Sequence, residues 1–257
     1  MLSGFFQNVD WLFVSGDVTD RGDIDSWHYF WKVIAEAGFR DRCLVVPGNH
    51  DACNLGLSLI SRRESRQARR ERLQRLRRGL DMGNQPIRFP WVQKIDKNIA
   101  VFGLDSANSG NISLLTNAVG SLGFRQLEAL ARLLKKHEET AIKIIMLHHS
   151  PNIPHQETEK KRSLAPTSKL ARWGHEMPRE DRRGLRLLAI TQNVRLIIHG
   201  HLHRAESRKV NGVRIIGVPA STERGVDGKH LIQFYDVYLK SKRIIARSET
   251  FAAAKRS

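Results

Sequence analysis

Four short apolar segments, each followed directly by a polar cluster, constrain the fold of this chain most strongly. They cover residues 11–14, 43–46, 144–147 and 195–198. Each is short and rich in β-branched, aromatic or aliphatic residues, which predicts a buried strand of an α/β sheet. Because open α/β sheets bind ligands at the carboxyl ends of their strands, the four polar clusters are expected to meet at one edge.

The polar clusters after these segments contain the residue types that bind divalent metals. Carboxylates, an amide oxygen and imidazoles together suit Mn, Fe, Zn, Co or Ni better than Ca or a thiolate-bound metal. A single cluster would more often cap its own loop, but four clusters at four strand ends indicate a metal site. The candidate residues are Asp17, Asp20, Asn49, His50, Asp51, His148, His149, His199, His201 and His203.

Asp17 is the natural residue to bridge two metal ions. It follows the strongly apolar segment 11–14, which is expected to lie centrally in its sheet. A carboxylate that bridges two ions ~3.5–4 Å apart forms a clamp for in-line displacement at phosphorus. The sequence therefore predicts a centre for two divalent ions.

Length and composition predict a single globular domain. The 257 residues suffice for one α/β domain over 1–257, and no repeat or linker marks a second. No apolar run approaches the ~20 residues that span a bilayer, and no signal peptide is recognisable. Cys43 and Cys53 lack zinc-knuckle spacing and are typical of reduced thiols, so we predict a cytoplasmic protein.

The net charge of +17 indicates a phosphate-bearing partner, which could be a small phosphorylated substrate, nucleic acid or anionic lipid. Residues 62–78 hold nine Arg against two Glu, and Leu73, Leu76 and Leu80 follow at helical spacing. This pattern predicts an exposed helix, Arg62 to Arg78, within a basic insertion at about 58–80. Its charged face is a solvated surface, a lip that steers substrate, or a contact for nucleic acid or another anionic surface.

The rest of the chain alternates helical and strand patterns. Residues 152–184 contain three prolines and many charges without periodicity, and a loop of this length is usually functional, so we predict a cap over the site. Helices are predicted at 26–38, where Ser26 is the expected N-cap, and from Gly123, and strands at 91–95, 98–105, 213–218, 231–239 and 243–248.

Four motifs lie at the ends of the predicted strands. They are Gly16-Asp17-(x)2-Asp20-Arg21-Gly22, Gly48-Asn49-His50-Asp51, His148-His149-(x)-Pro151 and Gly200-His201-(x)-His203. Their order resembles that of the calcineurin-like metallophosphoesterase superfamily. Each motif alone is weakly specific, whereas the ordered set across residues 16–203 is specific.

The resemblance implies a fold and a metal site. The expected fold is a four-layer α/β/β/α sandwich, in which two mixed β-sheets pack face to face and helices lie outside. The resemblance further implies that Asp17 bridges both metals, that His203 binds the first, and that Asn49 and His201 bind the second. One histidine of the pair 148–149 completes the second site.

The resemblance also implies the remaining roles. His149 is favoured as the ligand of the pair, because the family's ligand usually sits two residues before the proline, and His148 is assigned to substrate binding. A metal-bound hydroxide attacks phosphorus, and His50, with Asp20, assists the leaving oxygen as a general acid near neutral pH. Arg21 contacts phosphate or pairs with Asp20, and pairing is favoured.

Within the superfamily, the motifs are most similar to the class III cyclic-nucleotide and glycerophosphodiester phosphodiesterase branch. The double histidine before Pro151 and the Gly-His-x-His ending carry this resemblance, together with a helix that begins at Gly123 and contains Gln126. Bacterial protein phosphatases share the first motif but end the second in Glu, where this chain has Asp51. The resemblance implies hydrolysis of a phosphodiester or phosphomonoester.

One departure from the family pattern affects the first metal. The family begins with an Asp-x-His motif upstream of Asp17, but the sixteen residues before Asp17 contain Asp10 and no histidine. The first metal would keep only Asp17 and His203, which leaves its site incomplete, and the first strand would be missing. Three explanations stay open: a truncated start, a single metal, or a scaffold that has lost its chemistry.

Two functions follow from these observations. The first is a metallophosphoesterase that hydrolyses a small phosphorylated substrate. The second is a catalytically impaired protein that uses the same scaffold and residues 62–78 to bind a polyanion. The histidines at positions 50, 149, 201 and 203 favour the enzyme, because a pure binder needs none of them.

Overall fold

The computed structural model describes residues 8–52, 66–107, 119–152, 177–203, 205–222 and 229–251. Within them lie four α-helices, ten strands and a short 3-10 helix at Arg40–Arg42. The helices are α1 (Ile24–Glu36), α2 (Arg66–Asp81), α3 (Gly123–Lys136) and α4 (Arg179–Thr191). The strands are β1 (Leu12–Val14), β2 (Cys43–Val45), β3 (Trp91–Asp96), β4 (Ile99–Gly103), β5 (Ile142–Met146), β6 (Leu196–His199), β7 (Glu206–Val210), β8 (Val213–Gly217), β9 (His230–Tyr238) and β10 (Arg243–Phe251).

A six-stranded mixed sheet forms the centre of the molecule. Its order is β3-β4-β5-β6-β8-β7, in which β4, β5, β6 and β8 are parallel and the edge strands β3 and β7 are antiparallel to their neighbours. The three central strands β4, β5 and β6 are buried along their whole length. Their largely apolar sequence, interrupted by Lys143 in β5 and His199 at the end of β6, follows from cover on both faces.

The two faces of this sheet pack against different layers, because side chains alternate along a strand. Phe102 and Ile145 belong to the cluster that holds Leu130 of α3 and Leu185 of α4. Residues of the opposite face, such as Val101, pack against two strand pairs, the parallel pair β1–β2 and the antiparallel pair β9–β10.

The outer face of β1–β2 is covered by α1 and α2. Val45 lies in one cluster with Trp27 and Trp31 of α1 and Leu80 of α2. The order of layers is therefore helices, strand pairs, six-stranded sheet, helices. This confirms the predicted α/β/β/α sandwich.

Helix α1 begins earlier than the sequence pattern indicates. Asp23 is the N-cap, and its carboxylate accepts hydrogen bonds from the backbone N–H of Ser26 at 2.7 Å and from the Ser26 hydroxyl at 2.8 Å. Ser26 is therefore in the first turn of the helix rather than its N-cap. Asp23 is the cap because its carboxylate accepts from the backbone N–H three residues later.

The two predicted insertions are only partly described. Residues 53–65 and 153–176 lie outside the described residues, which include α2 from the basic insertion and the start of α4 from the expected cap loop. None of the described helices is long and apolar enough to cross a bilayer.

Candidate metal centre

The ends of four strands bring predicted ligand residues together around His148. Its Nε2 atom lies 3.0 Å from Asn49 Oδ1, 3.2 Å from Asp17 Oδ2 and 3.2 Å from His201 Nδ1. Asn49 Oδ1 is also 3.1 Å from His201 Nδ1. The four residues follow β1, β2, β5 and β6, so the expectation that these strand ends meet is confirmed. They belong to two sheets rather than one, and β1 lies in a two-stranded pair rather than centrally in a sheet, because β1 hydrogen-bonds to β2 alone among the described strands.

A hydrogen bond at Nδ1, on the side of the ring away from Nε2, sets the orientation of His148. Its Nδ1 atom lies 2.7 Å from the backbone carbonyl oxygen of Ser15, which can only accept a hydrogen bond. When the ring is neutral, as metal binding requires, its proton is therefore on Nδ1 and the lone pair of Nε2 faces Asp17 and Asn49. A carbonyl or carboxylate in this position is the usual partner that orients a metal-binding histidine.

The backbone around Asp17 is constrained as well. Asp17 has a φ of 55°, a left-handed conformation that is uncommon for residues other than glycine and often occurs at functional sites. The backbone N–H of His50 donates to Asp17 Oδ1 at 3.0 Å. A Cβ atom on Gly48 would lie 2.0 Å from that same oxygen, so only glycine fits there. These contacts fix Oδ1 of Asp17, and Oδ2 faces His148.

Ser106 is a site residue that the sequence reasoning missed. Its hydroxyl oxygen accepts from the backbone N–H groups of His148 and His149 at 3.2 and 3.0 Å, and it lies 3.0 Å from His149 Nδ1. With both lone pairs engaged, the hydroxyl donates to Nδ1 of His149. The available signal was position, because Ser106 follows β4 in the same strand-then-polar order as the four motifs.

His50, Asp20 and Arg21 form a group at the rim of this cluster. His50 Nδ1 lies 3.0 Å from the backbone oxygen of Asp20 and 3.5 Å from its carboxylate. Arg21 Nε lies 3.4 Å from the other carboxylate oxygen of Asp20, and both side chains are largely exposed. The expected pairing of Arg21 with Asp20 therefore occurs.

His203 is placed differently from the other predicted ligands. Its side chain is exposed, and it is not part of the group formed by His148, His149 and His201, whose ring nitrogens lie within 4.8 Å of one another. This group is drawn from the described part of the chain. The loop itself is strained, since His201 and His203 both have a positive φ, 66° and 51°.

Residues 3–205 match the family model for calcineurin-like phosphoesterases, which is most of the chain. The chain belongs to the calcineurin-like phosphoesterase family. Membership implies divalent metal ions and phosphoester hydrolysis in general terms, and leaves the substrate open.

Solved structures with the same fold include two phosphatases. A dimetal phosphatase from Danio rerio has a TM-score of 0.60 and 14% sequence identity, and the alignment covers 94% of this chain and 81% of that one. A purple acid phosphatase from yellow lupin (Lupinus luteus) seeds has a TM-score of 0.50 and 14% identity, over 84% of this chain and 38% of that one. At this identity the similarity establishes the fold. No curated protein matches the sequence significantly.

When no metal is bound, Asp17 and His148 stabilise each other's charged form. Burial by itself would raise the pKa of Asp17, but the hydrogen bond and charge of His148 and the N–H of His50 lower it to about 2. Burial would lower the pKa of His148, but the hydrogen bond and charge of Asp17 outweigh it, and the pKa is raised. Asp17 is therefore anionic and able to hold a cation.

Asp51, the last residue of the second motif, shapes the loop. Its carboxylate accepts from the backbone N–H groups of Thr19 and Gly48 at 2.8 and 2.9 Å and from the Thr19 hydroxyl at 3.1 Å. Burial and the nearby charge of Asp17 raise its pKa to about 6, despite these hydrogen bonds. Asp51 thus ties the first motif to the second.

His199 lies behind the cluster rather than in it. The fully buried ring has Nε2 at 3.3 Å from both Ser150 Oγ and Glu206 Oε1, and Nδ1 at 3.1 Å from the carbonyl oxygen of Gly200. These contacts connect the third motif and β7 to the loop that carries His201.

The donor set fits a divalent metal ion. Ligand atoms about 2.0–2.2 Å from a tetrahedral ion lie roughly 3.4 Å from one another. The distances from His148 Nε2 to Asp17, Asn49 and His201, and from Asn49 to His201, are 3.0–3.2 Å and so are close to that value. A carboxylate, an amide oxygen and two imidazoles are also the ligand types that suit Mn, Fe, Zn, Co or Ni.

Proposed function

We propose that this protein is a metal-dependent phosphoester hydrolase whose centre is built from Asp17, Asn49, His148 and His201. The observation that carries the proposal is the approach of three oxygen or nitrogen donors to within 3.2 Å of His148 Nε2. Family membership supports the same reaction class. A structural role alone would not require two imidazole nitrogens and an anionic carboxylate to converge.

We assign His148 rather than His149 to the metal. Nδ1 of His148 donates to a carbonyl, which leaves an Nε2 lone pair beside Asp17 and Asn49. His149 accepts the Ser106 hydroxyl on Nδ1, which places its proton on Nε2. His149 then supports the cluster from behind. The sequence-based preference for His149 rested on its distance from the proline alone.

Bound divalent ions would supply Lewis acidity and would make water a better nucleophile at neutral pH. Asp17, with one oxygen toward His148 and the other near the second motif, is our candidate to bridge two ions, and His203 is our candidate for the first. We propose the dinuclear form on the basis of the family resemblance.

Residues of this chain protonate the leaving group. With Nδ1 of His50 held by the Asp20 carbonyl, Nε2 is the nitrogen that delivers a proton to the leaving oxygen as its bond to phosphorus breaks. His50 is also fixed by its backbone bond to Asp17, so the acid and the metal centre move together. Arg21 orients Asp20 rather than serving as the main phosphate contact.

The substrate class follows from the branch that the motifs resemble. We propose a phosphodiester or phosphomonoester of a small molecule as the substrate. The aryl esters bis(4-nitrophenyl) phosphate and 4-nitrophenyl phosphate distinguish the two, because only the first is a diester.

The test combines metal content with turnover of both esters. Protein stripped of metal is reconstituted with Mn, Fe, Zn, Co or Ni and measured by elemental analysis, alongside the variants His148→Ala and His149→Ala. We expect His148→Ala to lose bound metal and activity, and His149→Ala to retain metal. No metal-dependent turnover of either ester by wild-type protein that binds metal would refute the proposed reaction, and loss of metal in His149→Ala alone would refute the ligand assignment.

A further inference from the structure

Helix α2 has an unusual distribution of charge. Its sixteen residues include seven arginines and two acidic residues. Arg72 is buried and Arg75 is half-buried, whereas Arg70, Arg77 and Arg78 are exposed. The positive charge is therefore concentrated on the side of the helix that faces away from the protein.

Within the part of the chain that the structure describes, this charge is offset only in part, by Glu71 and Asp81 near Arg75, Arg77 and Arg78. Among the residues that the structure describes, Arg70, Arg77 and Arg78 form no ion pair. The acidic residue between them, Glu71, accepts a hydrogen bond from Gln67 at 3.0 Å. Arg75 and Arg78 are three residues apart, where like charges on a helix repel one another, so an anion bound along this face would relieve that repulsion.

The outer face of α2 also borders an open concavity. An open concavity of about 700 Å³ lies along it and is lined by Arg75, Arg77 and Arg78, together with Glu71 and Asp81. From Arg70 to Arg78 the helix rises roughly 12 Å. At the ~3.4 Å axial rise per nucleotide of one strand of B-form DNA, this length corresponds to about three phosphates.

The inner face fixes the helix to the body. Leu76 and Leu80 are buried, and the indole N–H of Trp31 donates to the carbonyl oxygen of Gly79 at 2.7 Å. Arg72 donates to the carbonyl oxygen of Ala52 at 2.7 Å, two residues after His50. The arginine face is thus presented by a docked helix next to the loop that carries the candidate acid.

The same packing argues against a lipid surface. A helix that lies in a membrane interface buries an exposed apolar face among the lipid tails. Here the apolar face of α2 is already used against α1, and its exposed side chains are all polar or charged. The exposed cations are all arginine, whose planar guanidinium binds phosphate oxygens in a bidentate manner.

We propose that the outer face of α2, through Arg70, Arg77 and Arg78, binds the phosphate backbone of nucleic acid. This binding is separate from the chemistry at the metal centre and does not depend on it. Net charge alone leaves a solvated surface, a lip that steers substrate and a contact for an anionic partner open, and the proposal selects nucleic acid as that partner.

The test measures the salt dependence of binding with two matched triple variants. Arg70→Gln/Arg77→Gln/Arg78→Gln removes three charges from α2, and Arg125→Gln/Lys135→Gln/Lys136→Gln removes three exposed charges from α3. A fluorescent 20-nucleotide single strand is titrated by anisotropy between 50 and 200 mM salt. We expect the slope of log K against log salt to fall by about 2 in the α2 variant, with binding at least ~10-fold weaker, and to change little in the α3 variant.

Several outcomes would overturn the proposal. One is an equal loss in both triple variants, which would mean that only net charge matters. Others are the absence of oligonucleotide binding at 50 mM salt, equal binding of a methylphosphonate strand that lacks backbone charge, or binding only to phosphatidylserine vesicles. Should the α2 triple variant fail to fold by circular dichroism, the single changes Arg70→Gln and Arg77→Gln are each expected to lower the slope by about 0.7.

Discussion

At the scale of single residues, the candidate centre depends on how hydrogen atoms are distributed between two adjacent histidines. Ser15 accepts from His148, whereas Ser106 donates to His149. The two rings lie nearly perpendicular, with centroids 4.9 Å apart. The Nε2 atom of His148 is therefore available to bind a cation, whereas the Nε2 atom of neutral His149 carries a proton.

His50→Ala is expected to lower turnover while metal content stays unchanged. His50 is bound to the centre through its backbone N–H, which alanine retains, and its ring contacts the Asp20 carbonyl. General acid catalysis is worth about 10²–10⁴-fold, so kcat should fall by that factor. The measurement is kcat with elemental analysis of the same sample.

The control for this variant is Asp20→Ala. The carbonyl that holds His50 Nδ1 belongs to the backbone, so the change should cost less activity than His50→Ala. Loss of metal from His50→Ala would instead identify His50 as a ligand or a structural residue.

The Cys43 thiol is expected to be inert in the folded protein. Burial raises its pKa from the usual 9.0 to about 12, so little thiolate is present at pH 8. In a Cys53→Ser background, Ellman's reagent should label Cys43 only after denaturation. Rapid labelling of the folded protein would contradict this.

The raised pKa of Cys43 also determines how the free energy of unfolding changes with pH. Below pH 9 the thiol is protonated in both the folded and the unfolded chain, so Cys43 leaves the free energy of unfolding unchanged. Between pH 9 and about 12 only the unfolded chain ionises, so Cys43 should lower the free energy of unfolding as the pH rises. Cys43→Ala should remove that slope.

At the scale of elements, α2 is attached to α1 by unusually close packing. A Cβ atom on Gly79 would lie 2.4 Å from the indole of Trp27, which is fully buried. The helix can approach α1 only because this residue is glycine. This contact sets the position of the arginine face as well.

Gly79→Ala is therefore expected to destabilise the fold. In a solvated helix the change would favour folding by about 1 kcal/mol. Here the clash with Trp27 should outweigh that gain, and overpacking of this kind costs about 1–3 kcal/mol. Urea unfolding measures the difference, with Gln74→Ala on the exposed face as the control. A more stable Gly79→Ala protein would mean that α2 shifts freely on α1.

At the scale of the whole molecule, the candidate centre joins layers that are distant along the chain. Asp17 and Asn49 follow the β1–β2 pair, whereas His148 and His201 follow strands of the six-stranded sheet. A bound ion would therefore cross-link the two β layers. Binding should stabilise the complete fold rather than one loop.

Metal binding is accordingly expected to raise the unfolding free energy of the metal-free protein. At an ion concentration one hundred times Kd, the gain is about 2.7 kcal/mol and should appear as a higher Tm. His148→Ala should lose this shift, and a change at the exposed His28, His28→Ala, should keep it. An equal shift in both variants would place the ion elsewhere.

The sequence pattern alone determined which strands are buried and that their ends meet, whereas the four-layer order was implied only by the family resemblance. The largely apolar strands β4, β5 and β6 require cover on both faces, and such strands place their following residues at one edge. These are consequences of local pattern, because hydrophobic burial depends on which residues are apolar rather than on their exact neighbours.

Only the tertiary structure decided which neighbouring polar side chain contacts which partner. His148 and His149 are equivalent by composition, Ser106 belongs to no motif, and Arg72 looks like the arginines around it. Their contacts with Ser15, with the histidine backbone and with Ala52 depend on how the layers pack to within a fraction of an ångström. Hydrogen bonds weaken steeply with distance and angle, and those quantities are set by residues far away along the chain.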